Sequence, residues 1–322
     1  MFEVVKPGLQ TCIQDFPGRV GFWAQGFPPS GPMDSWSFRL ANLLVGNAPG
    51  APGLECQLLG PTLRFHSDAT IALCGADMQP KLDGAVLPAW ESLAVRAGQT
   101  LALGAARRGA RTYLAIAGGV AAPRWLGSAS TFHQAGVGGI DGHALAAGQR
   151  VEVVGGAARS GRRVKEDCRP QLHGEKRWTI EVVAGPQDDW IDEAGKRRFL
   201  EAEWKLESRS NRTGYRLDGP NWTFATRATN KPPENGSDPS NIIDQGYPLG
   251  AINLCGQKPI ILVNDGPSMG GFICPYTVPS AAFWKLGQSK ALDTYRFSLI
   301  GVDGAHELRR RLDALCSEAS IT

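Results

Sequence analysis

The stretch DGPSMGG, Asp265 to Gly271, follows the apolar run KPIILVN, so a strand empties into an acid, a hydroxyl and three glycines. Two readings suit that composition. It is an ordinary turn, or it is a place where Gly266, Gly270 and Gly271 let backbone N–H groups close in on a bound anion. In the second reading Asp265 projects from the strand end and Ser268 stands beside it. Upstream, SRSNRTGYRLDGP (208–220) sets Arg212 and Tyr215 around a Thr-Gly turn; a guanidinium there offers a planar fork to a carboxylate. Between the two lies PPENGSDPSNIIDQGYPLGAINLCG (232–256), which carries Asn241. Structureless loops beyond about 12–15 residues tend to be functional or disordered, and this one runs straight into a strand, as a binding loop does.

The N-terminal stretch (7–47) is as dense in special residues. Asp15 and Arg19 flank Pro17-Gly18, where they could pair across a turn as a structural clamp. Ser30-Gly-Pro-Met-Asp34 joins a bend to a helix start. Either the free N–H groups of that helix hold an anion, or Asp34 caps the helix itself. The loop AGVGGIDG (135–142) lacks G-x-x-x-x-G-K-[ST] and reads as a hairpin or a close backbone contact. Of the five histidines (66, 133, 143, 173, 306), His133 and His143 flank that loop and are the pair placed to converge. G-x-S-x-G is absent, which removes a serine hydrolase elbow.

The elements that must position these residues are short. TLRFH, ATIALCG, SLAVRAG, TLALG, RTYLAIAGG and RVEVVG read as strands in the first half; RWTIEVVAG, GYRLDG, GAINLCG, KPIILVND and TYRFSLIG do so in the second. VRAGQTLALG, LAAGQRVEVVG and KLGQSKALDTYRFSL each set Gly-Gln before a strand, a weak internal echo. Helical periodicity is confined to a few segments. MDSWSFRLANLLVGN has Asp34 as cap and Gly46 as stop, and DGAHELRRRLDALCSEA has a Leu308, Leu312, Leu315 stripe with Asp303 as possible cap. DDWIDEAGKRRFLEAEW and PSAAFWKLG are shorter candidates. The expected fold is mainly β with few helices, in two barrel-like lobes. The first spans 1–155, a glycine-rich charged linker 156–176, and the second lobe with its terminal helix 177–322.

A hydrophobic fraction of 42% and a charged fraction of 20% describe a core-forming chain, and 40 glycines spread along it punctuate turns rather than signal disorder. A net charge of +3 is too small for a nucleic-acid footprint. The seven cysteines are scattered, without C-x-x-C or a His at metal-ligand spacing, so no metal site is expected. With no apolar stretch of about 20 residues to meet a membrane, the expectation is a cytoplasmic chain with free thiols.

PGLQTCIQD, GRVGF, SGPMD, LANLLVGN, LECQLLGPTLRF, CGAD, YLAIAGG, GSAST and GYRLDGP, in this order, resemble the biotin-dependent carboxyltransferase (allophanate hydrolase subunit 2, or KipA-like) family over nearly the whole chain. The S-N-I-x-D and D-G-P-S-x-G-G-F segments look like its urea carboxylase branch. The resemblance implies a pair of cyclophilin-like β-barrels and transfer of a carboxyl group from carboxybiotin to urea or a urea-, guanidine- or lactam-like acceptor. It also implies a KipI-like partner, with a biotin carboxylase and a biotin carrier alongside. The C-type component of an ATP-dependent 5-oxoprolinase and a non-catalytic regulator of a kinase inhibitor are the alternatives. No A-M-K-M acceptor and no Walker signature is present, so biotin is carried, and ATP used, by partners. Where the family closes its last hairpin with Pro-Gly-Asp, this chain has KALDTYRF, a weaker turn. In the implied site Asp265 accepts hydrogen bonds from the acceptor. The 268–271 backbone holds a carboxylate or ureido oxygen, Arg212 offers its fork to either, and Tyr215 and Asn241 line the pocket. A carboxylate is far too weak a base for an amide-like nitrogen, which leaves the ureido nitrogen as the credible base.

Overall fold

The structure, a computed structural model, describes residues 1–156, 159–172, 174 and 176–322. His173 and three residues of the expected linker (157, 158 and 175) lie outside them. Two compact units emerge: Met1–Val20, Ser30–Gly174 and Leu312–Thr322 form the first, Gly21–Pro29 and Glu175–Arg311 the second.

That division departs from the expected one. Arg162 and Ser92 are joined backbone to backbone, and the Arg162 guanidinium donates to the Leu43 carbonyl at 2.6 Å. Arg163 and Thr322 exchange both backbone bonds at 2.8 Å. Residues 161–165 of the stretch read as a linker are therefore extended backbone sewn into the first unit. Residues 312–322 join that unit too, through Arg39–Asp313 at 2.7 Å and a Val164–Ile321 bridge. The helix Val302–Leu315 also starts one residue before Asp303, which sits in its first turn and not at its cap.

In the first unit a six-stranded sheet runs Arg150–Val151, Phe2–Lys6, Thr62–Phe65, Thr100–Ala102, Lys81–Leu82, Ala85–Val86. A five-stranded one runs Gln10–Gln14, Gly53–Gln57, Arg111–Ile116, Ala69–Gly75, Ser92–Val95. Alternation explains the continuous apolar runs ATIALCG and RTYLAI. Ile71, Leu73, Leu114 and Ile116 face a core shared with Phe2, Val4, Leu63 and Phe65, while Ala72, Cys74, Tyr113 and Ala115 face the helix Ser35–Leu44. A strand buried on both faces needs no polar alternation.

The second unit closes. Its barrel order is Arg177–Ala184, Tyr276–Thr277, Ala251–Cys255, Lys258–Leu262, Gly214–Asp218, Trp204–Leu206, Thr294–Leu299, and the last strand pairs with the first in parallel. Phe199 of the helix Glu193–Glu201 stacks on Tyr276 and Phe297 at 4.5 and 4.4 Å, gluing helix to barrel. The whole is mainly β with few helices, as the sequence indicates. All seven cysteines are free, and no helix among the described residues is long and apolar enough to cross a membrane.

The Gly-Gln echo has a physical basis. Gln99 accepts from the Arg96 N–H at 2.9 Å and Gln149 from the Ala146 N–H at 3.0 Å, with Gly98 and Gly148 at φ +91° and +80°. The third copy is displaced. Gly287-Gln288 lies inside the helix Phe283–Gln288, and the equivalent turn is Lys290 to Asp293, where Asp293 accepts from the Lys290 N–H at 2.9 Å. Leu292, at φ +72° and 55% exposed, takes the glycine's place. A side chain in that region strains the backbone by roughly 1–2 kcal/mol, while glycine gives back part of this as unfolded-state entropy. Leu292→Gly is therefore expected to stabilise the protein by about 0.5–1 kcal/mol, read as a higher urea midpoint; a lower midpoint would show that the leucine is held by packing.

Candidate functional site

Asp265 stands just past the strand Lys258–Leu262 and is 4% exposed. Its carboxylate does not face solvent. Arg212 donates to it twice, Nε to Oδ2 at 2.8 Å and Nη2 to Oδ1 at 3.3 Å, and the Asp265 N–H donates to the Arg212 carbonyl at 2.8 Å. The two residues expected to meet a ligand separately are thus each other's partners. Gly266 is required by the same crossing, since a Cβ there would lie 2.9 Å from the Val263 carbonyl and 3.0 Å from that of Thr213.

The glycines beyond it do not form the expected concave nest, which needs left-handed backbone. Gly266, Gly270 and Gly271 are absent from the positive-φ residues, and Met269–Phe272 is a strand paired with Asn241–Gly246. Glycine is needed for approach instead: a Cβ on Gly270 would meet the Tyr247 ring at 2.8 Å and one on Gly271 the Ile242 carbonyl at 3.1 Å. Asn241 opens this ribbon opposite Phe272, and Ser268 accepts the Tyr247 N–H on its carbonyl at 2.8 Å. Tyr215 is elsewhere. It is 3% exposed and pairs with Ile261 on the barrel face opposite Leu262, away from the ribbon.

Residues not singled out by the sequence reading hold the ribbon. The Tyr247 hydroxyl donates to the Phe272 carbonyl at 2.9 Å and accepts the Phe272 N–H at 2.6 Å. Gln187 and Gln245 exchange side-chain amide bonds at 2.7 and 2.9 Å, and the Gln187 oxygen also takes the Cys274 N–H. Lys231 donates to the Asn241 carbonyl at 2.6 Å and to that of Asp238, over the Trp190 ring. Burial pushes the Tyr247 phenol up to about 12 and the Cys274 thiol up to about 11, so both are neutral near pH 7. The one sequence signal was the long 232–256 segment, which named no partner for Gln245 or Tyr247.

In the first unit the candidates serve the fold. Asp15 accepts from the hydroxyls of Ser128 and Ser130, from the Ala129 N–H at 2.9 Å and from Arg124 at 3.4 Å. Arg19 donates to the Ser130 carbonyl at 2.8 Å with its guanidinium over Trp125. Both thereby grip the GSAST segment; Asp15 also lines a hollow of about 620 Å³ with Arg124 at its rim. Ser30 is buried at φ +55°. Asp34 caps the helix, taking the Ser37 N–H at 3.0 Å and its hydroxyl at 2.6 Å. Just ahead of this cap, the buried Glu55 accepts the Met33 N–H at 2.8 Å and the Tyr113 hydroxyl at 2.9 Å, with Arg111 at 3.4 Å, while the Asp34 N–H donates to the Tyr113 hydroxyl at 2.8 Å. Burial pushes Tyr113 far above its ordinary value. The glycine loop 135–142 makes a close backbone contact, for a Cβ on Gly138 would lie 1.9 Å from the Ser130 carbonyl. His133 and His143 do converge, at 6.3 Å between ring centroids, and Cys12 Sγ lies 3.1 Å from His133 Nε2. Among the described residues no group of three or more His, Cys, Asp or Glu could hold a metal.

Over residues 25–299 the chain matches the family model described as carboxyltransferase domain, subdomain A and B, and it belongs to that family. Among particular proteins, it is 39% identical to a urea amidolyase of Saccharomyces cerevisiae over 97% of its own length and 17% of that protein's. It is 34% identical to a 5-oxoprolinase subunit of Escherichia coli, over 84% of this chain and 82% of the relative. The K. lactis urea amidolyase crystal structure superposes with a TM-score of 0.94 at 38% identity, covering all of this chain and 20% of the larger one. The chain therefore spans about a fifth of the urea amidolyases it matches.

Tyr247→Phe removes the acceptor of the Phe272 N–H and is expected to cost about 1–3 kcal/mol, seen as faster hydrogen exchange at Phe272. A raised phenol pKa favours the protonated fold, so the stabilisation is whole below about 10 and is lost as pH rises through about 12. Protection at Phe272, corrected for intrinsic exchange, should therefore be flat from about pH 6 to 9; a step inside that window contradicts the assignment.

Proposed function

We propose that this chain is the KipA-like half of a biotin-dependent carboxyltransferase. With a KipI-like partner it moves a carboxyl group from carboxybiotin to a nitrogen of urea or of a urea- or guanidine-like acceptor, in the cytoplasm. The observation that carries this reading is the full-length likeness to a segment of urea amidolyase, at a TM-score of 0.94. The ribbon beside the Asp265–Arg212 pair supports it, because its residues suit biotin. A ureido head is a flat donor–acceptor group on an apolar ring, and the ribbon exposes Ile243 and Met269 beside the half-buried Ser268 and Gln245.

When bound, carboxylated biotin supplies an activated carboxyl group. The chain's residues do the rest by position. Asp265 has lone pairs beyond the two that Arg212 occupies, so it accepts N–H bonds from the acceptor and orients it without abstracting a proton. Arg212 fixes the carboxylate's direction and balances its charge in a place poor in water. Ser268 offers a hydroxyl at the same edge, and Asn241 lies at the ribbon's far end. Biotin, its carboxylation and the ATP for it come from a biotin carboxylase and a biotin carrier, as separate chains or as neighbouring domains.

A second reading, the C-type component of a 5-oxoprolinase, is favoured by the 34% identity to the Escherichia coli protein over 82% of that relative. A non-catalytic regulatory module is the third. ADP release with urea, guanidine and 5-oxoproline, in the complex with its neighbouring subunits, separates all three; turnover on none of them supports the regulator. In the active complex Asp265→Asn is expected to lower carboxyl transfer at least about 100-fold, while carboxylation of the biotin carrier persists. Undiminished transfer would remove Asp265 from the site.

A further inference from the structure

The first unit holds a second cleft, independent of the carboxyl-transfer reading. Its volume is about 420 Å³, inside the range of about 300–1,000 Å³ typical of small-molecule sites. Its floor is closed by Leu73, Met78 and Leu103, each at most 5% exposed, and its accessible apolar wall is formed by the half-buried Trp90 and Leu172 among a mainly polar lining. Trp90 adopts φ +66°, an uncommon conformation for a residue with a Cβ. Two backbone bonds hold it there: its N–H donates to the Leu73 carbonyl at 2.8 Å, and its carbonyl accepts from Val164 at 3.0 Å. The indole also closes the core under the helix Ser35–Leu44, so one side chain serves both core and cleft.

The charges of the cleft are balanced, with Arg108 and Arg169 against Asp77 and Glu166. Two of the four are committed. Arg169 donates Nε and Nη2 to the Val164 carbonyl at 3.1 and 2.6 Å with its guanidinium 5.9 Å over Trp90, and Asp77 accepts the Gln79 N–H at 3.1 Å. The side chains of Arg108 and Glu166 have no hydrogen-bond or ion-pair partner among the described residues, nor do they pair with each other. A cation and an anion left open beside an apolar surface match a ligand that is dipolar overall and apolar in body. A simple anion would leave Glu166 opposing it, and a simple cation would leave Arg108 doing so.

We propose that this cleft binds a free α-amino acid with a large apolar side chain. Its carboxylate meets Arg108, its ammonium meets Glu166, and its side chain lies against Trp90 and Leu172.

The test is calorimetric titration of the full chain with L-phenylalanine as probe, and with phenylacetate and phenethylamine as analogues lacking the ammonium or the carboxylate. Saturable binding of L-phenylalanine below about 10 mM is expected, with both analogues weaker by about tenfold or more. Arg108→Ala and Glu166→Ala change exposed residues, so they should keep the parent unfolding midpoint; each should weaken L-phenylalanine by about tenfold. No binding up to about 10 mM, an analogue binding as well as the amino acid, or parent-like affinity in both folded variants would each overturn the proposal.

Discussion

The second unit's candidate site depends on one charged pair taken out of water. Asp265 and Arg212 are both nearly inaccessible, and a buried ion left alone costs about 3–5 kcal/mol, so neither can stay without the other. Their side-on contact, with the backbone bond between the same residues, pins the end of one barrel strand to the 208–213 turn. The close crossing at Gly266 follows from that pin, and beyond it the strand Met269–Phe272 is held by its pairing with Asn241–Gly246 and by Tyr247 closing over Gly270. The pair is therefore the fixed point from which the chain enters the ribbon.

The first unit solves a similar problem with a different ion. A helix start presents free N–H groups and a partial positive charge, an invitation to any anion. Here Glu55 from the adjacent sheet takes the Met33 N–H just ahead of the cap and the Tyr113 hydroxyl, with Arg111 as its ion-pair partner. Asp34 and Tyr113 satisfy the neighbouring positions. Polar residues crowded into SGPMD thus report an internal joint between helix and sheet, with Asp34 as the helix's own cap.

Much of this was legible beforehand. Strands and principal helices could be read because their signals are local: alternation in GYRLD, a cap at Asp34, a stop at Gly46. The Gly-Gln echo marked two turns correctly and pointed too early for the third, at Gly287-Gln288, where Leu292 and Asp293 do the same work. Residues that matter through distant partners were not legible. Nothing near Arg212 says that its fork is closed on Asp265, and nothing near Gln245 announces Gln187. The glycines of DGPSMGG were noticed for the wrong reason, because composition cannot tell a left-handed glycine from one that merely makes room. The charged stretch 161–169 misled in the opposite direction, since its backbone pairs within the first unit and the Arg162 and Arg169 guanidinia donate to backbone carbonyls there.

The path of the chain has a consequence for modularity. The polypeptide passes between its two units after Val20, Pro29, Gly174 and Arg311, so neither unit is one continuous piece of sequence. A single cut after Gly174 would strip the first of its closing segment, 312–322, and the second of residues 21–29. The two are covalently interlaced, and any exchange or duplication of this module within a larger polypeptide has to move both together.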